Sequence, residues 1–421
     1  MMNRRDFISH SAAIGSGIAM AAPLISAAED VVAPSKKLRI GLAGCGRQGR
    51  TILNAGMKIS GMMFVAVCDI LPSALRSAKF YLEAEAEEND ESVTVAAYAD
   101  FQDMIDREKT NLDAVVIATP DFLHAAQTRE ALTAGLHVYC EPMMATNAED
   151  ARSMIKLAGD KSLLLQIGFE RRSDPRYRHA VQNLLTPESL PVLLGTITHL
   201  ETQANRRIHS ELAWAERDTL SSAILERYGY ESMSQYRNWK QYRKYGNGQC
   251  AGFLAQQLDV FDWFFGIRPL QAVVSGGLDY YKYGDCFDNT AALITYPFPK
   301  RTVRAVSRAW TTTSAAGSIP FEHIYGANGS LQTSLSDEFF RVYAEPGLAK
   351  WGEFVRRGDL KKAVAVDEKE DPNLVKVRET GNVVPYMLPM QRESSVTRLH
   401  LENFVNAVIG KEKLHCSGED A

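Results

Sequence analysis

The run Leu38-Arg-Ile-Gly-Leu-Ala-Gly44-Cys45-Gly46-Arg47-Gln48-Gly49 decides the fold of this 421-residue chain. An apolar β-run enters Gly44-x-Gly46-x-x-Gly49 directly, and the residues after it continue as a helix. In this pattern the first glycine allows the tight turn and the second lets the backbone approach a pyrophosphate. The third lets helix and strand pack closely. Main-chain N–H groups at the helix start then face the phosphates. A second apolar run, Phe64-Val-Ala-Val-Cys-Asp69, ends on a carboxylate twenty residues beyond Gly49. Asp69 is placed to accept hydrogen bonds from the adenosine ribose and to repel a 2′-phosphate, so the cofactor expected is NAD rather than NADP.

The same texture continues for about 130 residues. Short apolar runs at 38–43, 64–68, 93–98, 113–118, 136–140 and 163–168 alternate with helical spacing at 122–134 and 148–158. Such alternation predicts a parallel sheet of βαβ units, with ligands outside the carboxyl ends of the strands. Those ends carry Gly44, Asp69, Ala118-Thr119-Pro120 and Cys140-Glu141. After Arg171 the runs at 192–203, 270–278, 288–296, 301–311, 321–326 and 338–343 leave too little chain for helices between several of them, which predicts a mainly antiparallel sheet. Helices such as 251–265 cover its other face, and Leu401, Phe404, Val405 and Val408 repeat at helical spacing near the end. The fold class expected is α/β: an N-terminal Rossmann dinucleotide-binding domain over 36–170, then a C-terminal α/β domain with an open sheet over 171–421.

Lys and Arg number 47 against 51 Asp and Glu, a net charge of −4, and no basic stripe argues for nucleic acid. The six cysteines show no metal-ligand spacing, so reduced, mostly buried thiols are expected, and no metal. Arg4-Arg5 precedes Phe7-Ile8 and a weakly apolar stretch from Ala12 to Ala28, too short for a comfortable span. This reads as a twin-arginine leader over 1–28, cleaved after Ala28, which sends folded cargo to the periplasm or beyond and leaves no stable membrane anchor.

Several further motifs carry a resemblance. Leu112-Asp-Ala-Val-Val-Ile-Ala-Thr-Pro-Asp-x-x-His124, Ala134-Gly-Leu-His-Val-Tyr-Cys-Glu141 and Gly168-Phe-Glu-Arg-Arg172 resemble the Gfo/Idh/MocA family of glucose–fructose oxidoreductase and inositol dehydrogenase. So do Asp174-Pro-Arg-Tyr177, Asn238-Trp239 with Tyr242 and Tyr245, Gln257-Leu-Asp259 and Trp263-Phe-Phe-Gly266. The resemblance implies NAD(P) chemistry on sugars or cyclitols and a homo-oligomer, dimer or tetramer, paired through the open sheets. Relatives often continue with one further helix after the position of Cys416, so the resemblance implies that this chain ends early. Thr119, Pro120, His124 and Glu141 would lie along the nicotinamide side of the cofactor. Arg171, Arg172, Trp239 and Asp259 would meet a saccharide or glycoside.

The catalytic motif departs from the family. Its usual Glu-Lys-Pro reads Glu141-Pro142-Met143 here, and its usual Asp-x-Gly-x-His reads Gly252-Phe-Leu-Ala-Gln256. A positioned acid or base contributes roughly 10²–10⁴-fold, so losing two without replacement costs several kcal/mol of barrier. Gln256 can donate a hydrogen bond but cannot take a proton. Tyr242, Lys244 and Tyr245, with Lys240 and His209, are the ionisable candidates to replace them. Three functions are therefore expected: an NAD-dependent oxidoreductase of a sugar or glycoside hydroxyl, a redox-neutral NAD-dependent glycosidase or lyase, or a non-catalytic NAD-binding paralogue.

Overall fold

The computed structural model describes residues 37–89, 93–208, 211–314, 319–345, 351–363 and 384–421. The expected leader at 1–28 and His209 lie outside the described residues. Strands β1 (Leu38–Ala43), β2 (Met62–Cys68), β3 (Ala96–Tyr98), β4 (Ala114–Ile117), β5 (His137–Cys140) and β6 (Leu165–Ile167) form one sheet in the order β3-β2-β1-β4-β5-β6. Every neighbouring pair in it is parallel. Helices α1 (Arg47–Gly56), α2 (Pro72–Glu88), α3 (Phe101–Glu108), α4 (Asp121–Thr133) and α5 (Ala148–Lys161) make the crossovers. With helices on both faces, the central strands are apolar throughout, and Ile40, Leu42, Val115, Val116 and Ile117 are fully buried.

Between the sheets the chain forms α6 (Pro175–His179), a π-turn over Ala180–Leu184, and α7 (Leu190–Leu193). The strand expected from 192 begins instead at Ile197, because Pro191 opens the helical turn of α7 and removes that stretch from the sheet. An excursion over 206–248, here called the arm, carries α8 (Ser222–Arg227) and α9 (Met233–Arg237), followed by α10 (Gln249–Phe265). Strands β7 (Ile197–Asn205), β8 (Gln271–Gly277), β9 (Asn289–Phe298), β10 (Arg301–Trp310), β11 (Phe321–Gly326), β12 (Gly329–Ser334), β13 (Arg341–Ala344), β14 (Lys361–Lys362) and β15 (Val384–Met387) form the second sheet. Its order is β14-β15-β13-β12-β11-β7-β10-β9-β8, antiparallel except for the β7–β10 pair. Leu200, Ala305, Ile324, Leu331 and Val342 face α10 in one core, as the period-2 alternation requires. The opposite face is open.

The final helix, α12 (Val396–Val408; α11 is Gly352–Arg356), returns to the first sheet. Leu401, Phe404 and Val405 share a core with Ile40, Leu42, Ile52 and Tyr139. The tail then runs along the β6 edge, with the Ile167 N–H donating to Cys416 O at 3.0 Å and the Gly418 N–H to Leu165 O at 2.9 Å. All six cysteines are free and buried.

Candidate active site

The glycine turn shows what each glycine does. Gly44 has φ +90°, and a Cβ there would lie 2.5 Å from the Ala118 carbonyl oxygen. A Cβ on Gly49 would lie 1.9 Å from Gly44 O, so only hydrogen lets α1 pack this close to the turn. At Gly46 a Cβ would meet nothing within 4 Å. Gly46, Arg47 and Gln48 are exposed, and no side chain caps the first N–H groups of α1. Asp69 stands beside this cradle at the end of β2, where its Oδ2 accepts from Cys45 N–H at 2.7 Å and its Oδ1 from Leu71 N–H at 2.8 Å. Burial raises its pKa, while those two donors and the Arg237 charge oppose the rise. Each carboxylate oxygen keeps a further lone pair for a ribose hydroxyl. A tight turn, an open amide cradle and an oriented carboxylate fit a dinucleotide.

The ends of β4 and β5 form the other half of the cleft. Thr119 and Pro120 are partly exposed, and Thr119 Oγ1 donates to Gln127 Oε1 at 2.6 Å. His124 is buried, with Nδ1 2.7 Å from Met143 O and Nε2 2.7 Å from Thr119 O. Both ring nitrogens are engaged, so His124 braces the 141–143 turn against Thr119 rather than touching a ligand. Burial lowers its pKa, against the Asp121 charge and the two carbonyls. Glu141 accepts from Tyr139 OH at 3.3 Å and from the Gln48 side chain. Burial, with the Glu170 carboxylate beside it, pushes Glu141 up to about 8. The Lys240 charge opposes that rise and also acts on His124. Lys240 is exposed, with Nζ 5.1 Å from the centroid of the Trp239 ring.

The arm docks on this cleft. Leu220, Leu225, Tyr230, Met233 and Tyr245 close a core with Leu71, against which Phe122, Tyr236, Trp239 and Tyr242 pack. Arg227 Nη2 lies 2.9 Å from Asp100 Oδ2, and Tyr228 OH donates to the same oxygen at 3.0 Å and to Ala99 O at 3.1 Å. The Phe122 N–H donates to Tyr245 O at 3.2 Å, and the Asn247 side chain donates to Ala145 O at 3.2 Å.

Several residues expected at the site lie elsewhere. Arg171 is 4% exposed, with Nη1 2.7 Å from Glu322 Oε1 and 2.8 Å from Gln256 O. Arg172, 5% exposed, holds Asp259 through Nη2 at 2.7 Å and Nε at 3.1 Å. These three residues form internal ion pairs. Tyr245 is fully buried, its OH donating to Gln235 Oε1 at 2.6 Å, and Lys244 is a surface cation 2.7 Å from Glu231. Tyr242 and Trp239 are partly buried in the arm core, and Gln256 is partly exposed on α10. Glu170 and Arg237 were not singled out by the sequence. Glu170 sits inside the Gly168–Arg172 motif, and Arg237 immediately precedes Asn238-Trp239.

Comparison with known proteins agrees with the first half of this architecture. Residues 38–169 match the Gfo/Idh/MocA oxidoreductase family, NAD-binding Rossmann fold. An inositol 2-dehydrogenase from Rhizobium meliloti is 31% identical over 140 residues, 33% of this chain and 38% of that protein. A 4-carboxy-2-hydroxymuconate-6-semialdehyde dehydrogenase from a Sphingobium species is 26% identical over 151 residues, 36% of this chain and 44% of that protein. The chain thus matches roughly two fifths of these relatives' length. Over most of its length the chain is similar in fold to the WlbA dehydrogenase of Bordetella pertussis, solved with NADH and UDP-GlcNAcA. That likeness has a TM-score of 0.59 at 18% identity, covering 91% of this chain and 92% of that one. It is likewise similar to scyllo-inositol dehydrogenase from Lactobacillus casei, solved with NAD(H) and scyllo-inositol, with a TM-score of 0.57 at 22% identity over 91% and 93% of the two chains.

Proposed function

We propose that this chain, whose residues 38–169 are a Gfo/Idh/MocA NAD-binding domain, is an NAD-dependent oxidoreductase acting on a sugar or glycoside hydroxyl. One observation carries the reading: the open amide cradle at Gly46–Gln48 and the oriented Asp69 lie beside Glu141, which Gln48 hydrogen-bonds and the Lys240 charge reaches. Gly44 to Gly49, Asp69, Thr119 and Pro120 would hold the cofactor, with His124 bracing the turn behind them. When bound, the nicotinamide supplies the hydride acceptor.

The chain's own work is the proton. As the carbinol carbon becomes a carbonyl, the hydroxyl proton passes to an oxygen of Glu141. The Lys240 ammonium stabilises the negative charge developing on the substrate oxygen. Lys240 thereby stands in for the family's lysine, absent at Pro142, while Gln256 offers a hydrogen bond to the carbonyl. Tyr242 lines the approach from the arm. Because Glu141 must be ionised to accept a proton, activity is expected to rise as pH passes about 8. Glu141→Gln should remove that limb of the profile.

The arm's grip on the end of β3 favours a second reading, in which the cofactor stays bound and the reaction is redox-neutral elimination at a glycoside. The two are separated by purifying the protein, releasing its nucleotide for chromatography, and adding a panel of glycosides. NADH accumulation supports the oxidoreductase, and product without net NADH supports the redox-neutral enzyme. Bound NAD with neither supports a non-catalytic paralogue. Export through the twin-arginine route is part of the proposal, and N-terminal sequencing of the mature protein tests cleavage after Ala28. Pairing of open sheets with a second copy is also proposed. It is supported by Val273, Leu293 and Val306, which pair across β8, β9 and β10 in one exposed apolar row.

A further inference from the structure

Arg237 ends α9 and is fixed there by its neighbour. Asn238 is buried, with its Oδ1 accepting from Leu212 N–H at 2.8 Å and its Nδ2 donating to Ser234 O at 3.0 Å. The preceding residue, Tyr236, packs on the arm core that holds Leu71, two residues past Asp69. The guanidinium so placed has no hydrogen bond or ion pair among the described residues, and its Nε is buried without a partner. Its charge acts on Asp69, whose two oxygens accept from main-chain N–H groups, and no hydrogen bond joins Arg237 to either oxygen.

A partly desolvated guanidinium without an acceptor is costly, and buried donors are nearly always paired. Arg171, Arg172 and Arg176, elsewhere in the chain, are each paired with a carboxylate, whereas Arg237 has none among the described residues. Arg237 is therefore short of an anion. It is short of one beside a ribose-orienting carboxylate and a cradle of free N–H groups, where a phosphate fits its planar fork.

We infer that Arg237 is a cofactor-binding residue contributed by the arm, its guanidinium pairing with a phosphate of the dinucleotide held between the glycine turn and Asp69. This rests on the reading that the cleft binds a dinucleotide. The site is then bipartite: the first half supplies N–H groups and a carboxylate, and the second half supplies the cation. The phosphate is the bridging diphosphate common to NAD and NADP, because Asp69 repels a 2′-phosphate.

The test is fluorescence titration of the full-length protein with NADH and with NADPH, comparing wild type, Arg237→Met, Arg237→Lys and Lys156→Met. Lys156 is an exposed cation on α5, and its substitution controls for loss of one charge. Losing a charge-assisted pair weakens binding about tenfold or more. An equal loss for both nucleotides in Arg237→Met places the guanidinium on the bridging diphosphate. A loss confined to NADPH would place it on a 2′-phosphate and overturn the assignment to the bridging diphosphate. Arg237→Lys should fall between wild type and Arg237→Met, and it serves as the readout if the methionine variant does not fold. Affinities unchanged in both Arg237 variants would overturn the inference while leaving the dinucleotide reading intact. A wild type that binds neither nucleotide defeats that reading itself.

Discussion

Asp69 is the residue on which cofactor choice turns, and its geometry makes it testable alone. Two main-chain donors hold its oxygens beside the glycine turn. Asp69→Ala should weaken NADH binding by roughly ten- to a hundredfold, the worth of charge-assisted hydrogen bonds, as read by the same fluorescence titration. Glu141 makes a separate statement through stability. Its folded pKa, about 8, lies above the ordinary carboxyl value of 4.5, so between those values the folded chain holds a proton that the unfolded chain has lost. Stability therefore falls as pH rises from about 4.5 to about 8, by no more than about 1.4 kcal/mol per unit for one group, and is flat in this term above. Melting temperatures across that window should decline less steeply in Glu141→Gln than in wild type; equal slopes would remove Glu141 as the cause. At this scale the sequence was legible where chemistry is local. The glycines and Asp69 follow from spacing along one βαβ unit. The ion pairs of Arg171 and Arg172 are not legible in the sequence, because a ligand-binding cation and half of an internal ion pair have the same letters.

Among the elements, most strands of the first sheet were legible within a residue or two, because buried parallel strands are short, apolar and separated by helices. Strand β12 was missed, since Gly329-Ser-Leu-Gln-Thr-Ser334 carries a single large apolar residue and relies on its neighbours β11 and β13 for its place. The sequence of the arm gives no hint that it closes a core against Leu71 and Phe122. Its clasp is specific enough to probe. Tyr228→Phe with Asp100→Asn removes the contacts that tie α8 to the end of β3. This pair should speed NADH release in stopped-flow displacement, with melting temperature changed by only a few degrees because the clasp is largely exposed. An unchanged release rate would mean the arm does not gate the nucleotide.

For the whole molecule, the chain's return matters most. Phe404 on α12 is fully buried, with its ring 5.9 Å from that of Tyr139, so the last helix completes the core of the first sheet. Periodicity revealed the helix but not its destination, which depends on contacts more than 200 residues apart in sequence. Phe404→Ala should cost about 3–5 kcal/mol of unfolding free energy by denaturant titration. A change below about 1 kcal/mol would mean that α12 docks too loosely to stabilise the first sheet. The open face of the second sheet makes a prediction about assembly. Val306→Asp places a charge in the Val273–Leu293–Val306 row and should convert an oligomer to monomers in light scattering, whereas a wild type already monomeric would remove the proposed pairing.

The account stands on a dinucleotide lying across the carboxyl ends of β1, β2, β4 and β5. Its most direct test is isothermal titration of nucleotide-stripped wild-type protein with NADH. Saturable binding of one nucleotide per chain, weakened at least about tenfold by Asp69→Ala, is the predicted result. No heat of binding from a folded protein, or binding indifferent to Asp69→Ala, would contradict it.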